Sequence, residues 1–225
     1  MKKKSAFTMI ELVFVIVILG ILSSLAMGRM DRDLKQEAAS SILSHIRLTQ
    51  QLALNDNKHL PTGSVNQGNW QTAYWQFSMK ACGDDIAYRV GSDTDMGSGV
   101  NGIGQSESAI NPTDGKYIFS EDCSTLSDNE TPVVLLSKKF GIQNSGVVPT
   151  GGCDRNQILF DYLGRPHFRN TTYNGQSEFQ NIMTRDCNLT FTMSTDEDND
   201  GVNDEFTITI EAETGHAFIV GQEDS

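Results

Sequence analysis

The strongest constraint on this chain is a continuous apolar segment near its amino terminus. Leu12 to Leu22 contains no polar side chain, and only four polar residues interrupt the 22 residues from Phe7 to Gly28. As a helix this segment would span roughly 33 Å, which matches a bilayer core of about 30 Å. Three lysines, at positions 2 to 4, precede it. Because positive charge stays on the cytoplasmic side, the sequence predicts a single-pass anchor with an exported body.

Glu11 separates the interpretations of this segment. A plain membrane anchor fits the apolar run, and so does a cleaved secretory signal with Ser24-Leu25-Ala26 as its cleavage site. Neither explains Glu11, because an unpaired carboxylate within lipid costs on the order of 2.5 kcal/mol or more. Glu11 therefore requires a partner that neither a plain anchor nor a cleaved signal supplies.

The residues Lys4-Ser5-Ala6-Phe7-Thr8-Met9-Ile10-Glu11-Leu12, followed by the apolar run, resemble the class III prepilin signal of type IV pilins and type II secretion pseudopilins. The resemblance implies cleavage by a prepilin peptidase between Ala6 and Phe7 and N-methylation of Phe7. It also implies that Glu11, the fifth residue of the mature chain, pairs with the amino group of a neighbouring subunit. Ala6 departs from the glycine that is usual in the family.

The chain is expected to divide into a leader (1–6), a transmembrane and assembly helix (7–30), an amphipathic continuation of that helix (31–58) and a disulfide-bonded β-rich head (59–225). No Gly or Pro interrupts the stretch from Asp31 to about Asn55, where the helix is expected to end. Spacings of 3, 4 and 7 residues place a set of apolar residues on one face and predict that it lies on a sheet. These residues are Ala39, Ile42, Ile46 and Ala53.

Beyond Pro61 the sequence is typical of β-strands bounded by Gly, Asn and Asp. The Gly- and Ser-rich stretch 91–115 is expected to be a long exposed loop. The predicted fold class is α+β: a long N-terminal helix, membrane-spanning and then amphipathic, packed on an antiparallel β-sheet head. The predicted strands are Gln71–Met79, Asp85–Val90, Lys116–Phe119, Val133–Leu136, Gln157–Asp161, Leu189–Met193, Phe206–Ile210 and Ala217–Val220.

A second resemblance concerns the subfamily. The segments Ile158–Pro166, Phe206–Ile210 and Gly215–Ile219 are similar to the C-terminal pattern of the GspH/FimT family of minor pseudopilins and minor pilins. The resemblance implies a minor rather than a major subunit. The alternative is generic strand-turn-strand sequence, since Leu-Gly-Arg-Pro is a favourable turn in any protein.

The four cysteines all lie in the part predicted to be exported, where oxidation is permitted. Spacings of 41, 30 and 34 residues, without a CxxC pair, argue against a zinc cluster or a thioredoxin-like site. Two disulfides are expected, and three connectivities are open. Closure of local segments favours pairing Cys82 with Cys123 and Cys153 with Cys187.

The acidic run from Asp196 to Glu205 is the most specific chemical feature of the head. Carboxylates at alternate positions before Gly201 suit Ca²⁺, which prefers six to eight oxygen ligands. The pattern resembles the calcium loops of EF-hands and thrombospondin type 3 repeats, although Thr207 replaces the glutamate at the twelfth position. The alternative is a solvated acidic turn. The candidate ligands are Asp196, Asp198, Asp200, the Val202 carbonyl and Asp204.

Taken together, these patterns favour a non-enzymatic structural subunit of a type II secretion pseudopilus or a type IV pilus. Its expected partners are other pilin subunits, a prepilin peptidase and an inner-membrane assembly platform, and its expected location is the bacterial inner membrane with the head in the periplasm. No common catalytic motif is present. A net charge of -12 disfavours nucleic-acid binding. The alternative function is a secreted calcium-dependent adhesin or binding module released by ordinary signal peptidase.

Overall fold

The computed structural model describes residues 8–60, 70–94, 102–169, 181–196 and 201–223, and for residues 25–33 it describes the backbone alone. A single long helix precedes two four-stranded antiparallel sheets. The predicted α+β class, with a long N-terminal helix and an antiparallel head, is therefore confirmed.

Helix α1 extends from Met9 to Asn55, and its last residue is the one at which the sequence predicted its end. Ala39, Ile42, Ile46 and Ala53 are all buried, as their spacing predicted. Helix α1 contacts strands of both sheets, and the stripe lies in one core with residues of those strands. Both sheets of the head therefore pack against the same helix.

In chain order the strands are β1 (Trp75–Cys82), β2 (Asp85–Gly91), β3 (Ile142–Gly151), β4 (Gln157–Phe160), β5 (Pro166–His167), β6 (Cys187–Met193), β7 (Glu205–Ile210) and β8 (Ala217–Ile219). The first sheet has the order β2-β1-β4-β5, and the second has the order β3-β6-β7-β8. In β6 every second residue from Cys187 to Met193 is buried, because successive side chains of a strand point to opposite faces and one face lies on the core.

Two predicted strands are wrong. Val133–Leu136 falls in a 3₁₀ turn, Pro132–Val134, and at the start of a short helix α2, Leu136–Phe140. Pro132 at the start of the turn presets a helical φ and has no amide donor for a ladder. Lys116–Phe119 is also not a strand: Tyr117 makes only isolated bridges, to Ile110 and Glu130.

Other boundaries differ as well. The predicted strand from Gln71 begins only at Trp75, because Trp70–Ala73 forms a buried 3₁₀ turn. Strand β3 was not predicted, since its sequence contains Asn, Gly and Pro. It lies at the edge of its sheet, where a residue such as Pro149 is tolerated without a ladder donor.

The expected exposed loop at 91–115 is wrong for the part that the structure describes. Ile103 and Ala109 are buried, and the Ala109 amide donates to the Val90 carbonyl at 2.8 Å. Ile118 in turn donates to the Ala109 carbonyl. This segment therefore pairs irregularly along β2 and covers that edge of the first sheet. Residues 95–101 lie outside the described residues.

Candidate assembly site

The start of α1 is fixed by a reciprocal cap between Thr8 and Glu11. The Glu11 amide donates to Thr8 Oγ1 at 3.4 Å. The Glu11 carboxylate, through Oε2, accepts from the Thr8 amide and from the Thr8 hydroxyl, each at 2.8 Å. This capping box satisfies amides that a helix start would leave without acceptors. Glu11 is therefore held pointing back toward the amino terminus of its own helix.

One carboxylate oxygen of Glu11 stays available. Within the described residues Glu11 Oε1 accepts no hydrogen bond, and the side chain is exposed. The positive end of the helix dipole also favours a negative charge at this position. Ala6 and Phe7, the predicted cleavage pair and methylation site, lie outside the described residues. The described geometry thus leaves one carboxylate oxygen of Glu11 exposed at the tip of α1.

The first turns of α1 present apolar side chains to all sides. The large apolar residues from Met9 to Leu22 are exposed by between 40% at Ile18 and 87% at Met9. A contiguous exposed apolar surface of this kind marks a site of interaction with protein or lipid. Among the residues that the structure describes, no helix has the length and hydropathy needed to cross a bilayer.

Polar contacts fix the second half of α1 to the head. Gln50 Nε2 donates to the carbonyls of Gly164 and Thr214, at 2.9 and 2.8 Å. Arg47 Nε donates to the Ala217 carbonyl at 3.0 Å. Gly164 and Gly215 beside this contact both have positive φ, and a Cβ at Gly215 would lie 2.6 Å from the Gln50 amide nitrogen. The turns that receive Gln50 therefore require glycine, and they hold the head in a fixed position on the helix.

Two disulfides close the head with the pairing that the sequence favoured. Cys82 is joined to Cys123 and Cys153 to Cys187, with Cα–Cα distances of 6.1 and 5.1 Å. The first ties the end of β1 to the segment before α2. The second ties the β3–β4 connection to the start of β6. Each sheet is thereby cross-linked to a neighbouring loop.

The structure brings together only part of the predicted calcium loop. Asp196 Oδ2 accepts from the Gly201 amide at 3.0 Å, whereas Asp196 Oδ1 is buried without a hydrogen-bond partner among the described residues. Asp204 instead accepts from the Thr195 hydroxyl at 3.4 Å and lies 3.6 Å from Lys35 Nζ. Asp198 and Asp200 lie outside the described residues.

The described residues contain no group of three or more His, Cys, Asp or Glu side chains arranged to hold a metal. Val202, whose carbonyl was a candidate ligand, lies in the described part of the loop with its side chain exposed. Gly201 has a φ of 87°, a conformation that favours glycine and allows the loop to turn here.

A buried polar cluster at the turn before β5 was not predicted. Asp161 Oδ2 accepts from Arg165 Nε at 2.9 Å and lies 3.3 Å from His167 Nε2. Asp161 Oδ1 accepts from the Leu163 and Arg165 amides. Burial raises the pKa of Asp161, but the hydrogen bonds from His167 and Arg165 outweigh this and leave the pKa below its ordinary value. In the sequence, the D-x-x-x-R-x-H spacing of Asp161, Arg165 and His167 is the pattern that could have predicted this cluster.

The cluster has a structural role that links it to the assembly helix. The turn stabilised by Asp161 carries Gly164, whose carbonyl accepts from Gln50 on α1. An ionised Asp161 therefore orders the surface on which α1 rests.

Comparison with known proteins identifies the amino-terminal segment. Residues 1–27 match the model of the prokaryotic N-terminal methylation motif. The chain thus carries the class III prepilin signal, and its resemblance to the type IV pilin and pseudopilin superfamily is confirmed over this segment. The match supports a subunit processed as a prepilin that assembles with other pilin subunits.

No curated protein and no solved structure matches the chain significantly.

Proposed function

We propose that this protein is a minor subunit of the GspH/FimT type, in a type II secretion pseudopilus or, as the second candidate, a type IV pilus. The capping box at Thr8 and Glu11, which lies within the matched methylation motif, is the observation that carries the assembly role. It holds a carboxylate at the tip of an otherwise apolar helix surface. The role is structural, because the apolar helix and its registering charge serve assembly rather than a reaction.

The mechanism begins with cleavage between Ala6 and Phe7 and methylation of the new amino group. Glu11 Oε1 then accepts a hydrogen bond from the positively charged amino group of Phe7 of a neighbouring subunit. The pairing of two charges within an apolar surrounding avoids the cost of leaving either one alone. Glu11 would thereby set the axial register of each added subunit, while the exposed apolar residues that follow it supply most of the contact area.

The proposed location rests on the same helix. The unassembled subunit resides in the inner membrane with its disulfide-bonded head in the periplasm, and an assembly platform transfers it to the filament. The acidic head argues against nucleic acid as a partner.

We propose in addition that the 196–204 loop binds Ca²⁺. The buried Asp196 Oδ1, without a partner among the described residues, supports this, since a buried carboxylate oxygen is costly unless a cation or donor meets it. Gly201 provides the turn that a calcium loop needs. Because Asp204 lies near Lys35 on α1, binding would also affect the contact between loop and helix.

The calcium proposal is tested by thermal unfolding of the full-length protein in detergent, with Ca²⁺ and with EGTA. Wild type should gain several degrees in Tm from Ca²⁺, because a ligand that binds only the folded state stabilises it. Asp196→Asn should lose this gain. Asp186→Asn, which removes a carboxylate from an exposed position elsewhere, should keep it. An identical Tm of the wild type in both buffers would refute the proposal.

Deletion of the gene distinguishes the two filament systems. Loss of secreted enzymes from the culture medium, with surface pili retained, supports the pseudopilus. Loss of pili with secretion retained supports the pilus. If neither changes, and the head is found free in the medium, the proposed structural role is wrong.

A further inference from the structure

A polar cleft of about 320 Å³ crosses the face of the first sheet. Strand register places Ser78 on β1 beside Arg89 on β2 and beside Gln157 on β4. These three side chains form a row across three strands. The neighbouring β1 residue, Phe77, is buried in the main core that also contains the α1 stripe. Because successive residues of a strand point to opposite faces, the row lies on the face away from that core.

Arg89 is the central group of this cleft. Its Nη1 donates to the Ile103 carbonyl at 3.0 Å, and its Nε donates to Ser78 Oγ at 3.4 Å. Among the described residues no carboxylate forms an ion pair with it. Burial lowers the pKa of Arg89, while the charge of Glu121 opposes this effect. Glu121 itself lies 3.4 Å from Lys80 Nζ, so its charge is already paired.

The surroundings of Arg89 orient its guanidinium. Gly102 has a φ of 53°, and a Cβ at this position would lie 3.2 Å from Arg89 Nη2. The backbone of 102–103 thus lies directly against the guanidinium and restrains it. A guanidinium held in one orientation loses little further entropy when it binds a planar anion.

The remaining lining is polar and carries a second cation. Arg155 is exposed at the cleft, and Gln76, Asn156 and Gln157 contribute amide groups. Among the described lining residues Asp93 is the one carboxylate. Two guanidinium groups against one carboxylate give this described part of the lining a net positive charge, in a protein whose net charge is -12.

We infer that this cleft binds an acidic side chain, Asp or Glu, presented by an exposed segment of a partner protein. The N–H groups of Arg89 that Ser78 and Ile103 do not use, on Nη1 and Nη2, can donate in parallel to the two oxygens of a carboxylate. Clustered arginines recognise acidic motifs in this way. The amide groups beside it can pair with the backbone of the same segment. Nucleic acid is disfavoured, because the rest of this acidic chain would repel a phosphate backbone.

This inference concerns the head alone and does not depend on which filament the protein joins. It would give the head a means of contacting a partner that the apolar helix does not touch. Failure of the assembly proposal would leave it unaffected, because the test below measures binding to the isolated full-length protein.

The experiment uses the full-length protein in detergent and a short fluorescein-labelled peptide of alternating Gly and Glu. The matched probe is the same peptide with Gln in place of Glu. Fluorescence polarisation should show that the Glu peptide binds at least about tenfold more tightly, because a hydrogen bond from a guanidinium to a carboxylate is stronger than one to a neutral amide. Added salt should weaken the binding of the Glu peptide more than the binding of the Gln peptide.

Arg89→Gln should abolish the preference for the Glu peptide, and Arg155→Gln should reduce it. Arg185→Gln removes the same charge from an exposed position outside this cleft and should leave the preference unchanged. Because Arg89→Gln could disturb folding, its thermal unfolding is compared with wild type, and Arg155→Gln provides the exposed variant that tests the cleft independently.

Equal binding of the Glu and Gln peptides, or no measurable binding of either, would overturn the inference. So would a preference that both Arg89→Gln and Arg155→Gln retain in full. Displacement of the peptide by a short oligothymidine at lower concentration than by free Glu peptide would identify a phosphate site instead and would equally refute it.

Discussion

A buried hydrogen bond of 2.8 Å joins His45 Nδ1 on α1 to the Tyr88 hydroxyl on β2. The two side chains lie between the helix and the first sheet, and both residues are buried. Burial lowers the pKa of His45, although Asn111 and the charge of Asp114 oppose this effect. Burial also raises the pKa of Tyr88, so its hydroxyl stays protonated. The helix and head are therefore joined by a neutral pair.

This pair predicts a loss of stability in mild acid. The unfolded state binds a proton at His45 with a pKa of about 6.5, whereas the folded state does so only at lower pH. Stability from this group is thus complete above about pH 6.5 and falls as the pH drops from there to the folded pKa. Chemical unfolding of His45→Gln should show a weaker pH dependence in this range than wild type. His216→Gln, at an exposed position, is the control and should keep the wild-type pH dependence. A wild-type pH dependence in His45→Gln as well would contradict the prediction that His45 is neutral in the folded state.

The helix stripe predicts a large effect of truncation at Ile42. This side chain is fully buried between α1 and the sheets, so Ile42→Ala should lower the free energy of unfolding by about 2–5 kcal/mol. Leu54 lies on the same helix but is 55% exposed, and Leu54→Ala should cost much less. Urea denaturation of the full-length protein in detergent measures both. Equal costs would show that the stripe does not carry the helix–head contact.

The two disulfides should each contribute to the stability of the head. Replacing Cys153 and Cys187 together by Ser should lower the free energy of unfolding by about 2–4 kcal/mol, because the unfolded chain regains the freedom of a closed loop. The same measurement on Cys82 and Cys123 should give a similar loss. A double Ser variant of either pair as stable as wild type under oxidising conditions would indicate that the bond contributes nothing.

Glu11 predicts a defect in assembly without a defect in processing. Glu11→Gln keeps the size of the side chain but removes the charge that would meet a neighbouring amino group. The variant should be cleaved and reach the membrane, yet be incorporated into sheared filaments at about a tenth of the wild-type level or less, as expected when a charge pair in apolar surroundings is broken. Glu37→Gln alters a carboxylate farther along α1, beside Lys139, and should assemble normally. Normal incorporation of Glu11→Gln would refute the registering role.

Local sequence determined the helix and much of the sheet, and the methylation motif identified the first residues. Ile42 and Ile46 could be placed in the core because a 3.6-residue period is a local property. The 3₁₀ turn at Pro132 and the strand β3 could not be predicted correctly. The apolar residues after Pro132 favour a strand, whereas Pro132 itself favours the start of a helical turn. Strand β3 contains Asn, Gly and Pro, which are rare in strands, and it forms because it pairs with β6.

The cleft around Arg89 and the cluster at Asp161 show a different limit. Arg89, Ser78 and Gln157 are brought together only by the register of three strands, and no local pattern reports that register. Asp161 and His167 lie near each other in sequence, but their burial depends on the tertiary fold. Sites of this kind require the structure.

The most direct test of the central claim is the mass and N-terminal sequence of the mature protein isolated from its native membrane. The account predicts a chain that begins at Phe7 and carries one additional methyl group on its amino terminus. Such a chain retains Glu11 and the apolar surface that follows it. A chain that begins at Met27 would have lost both and would contradict a role in filament assembly.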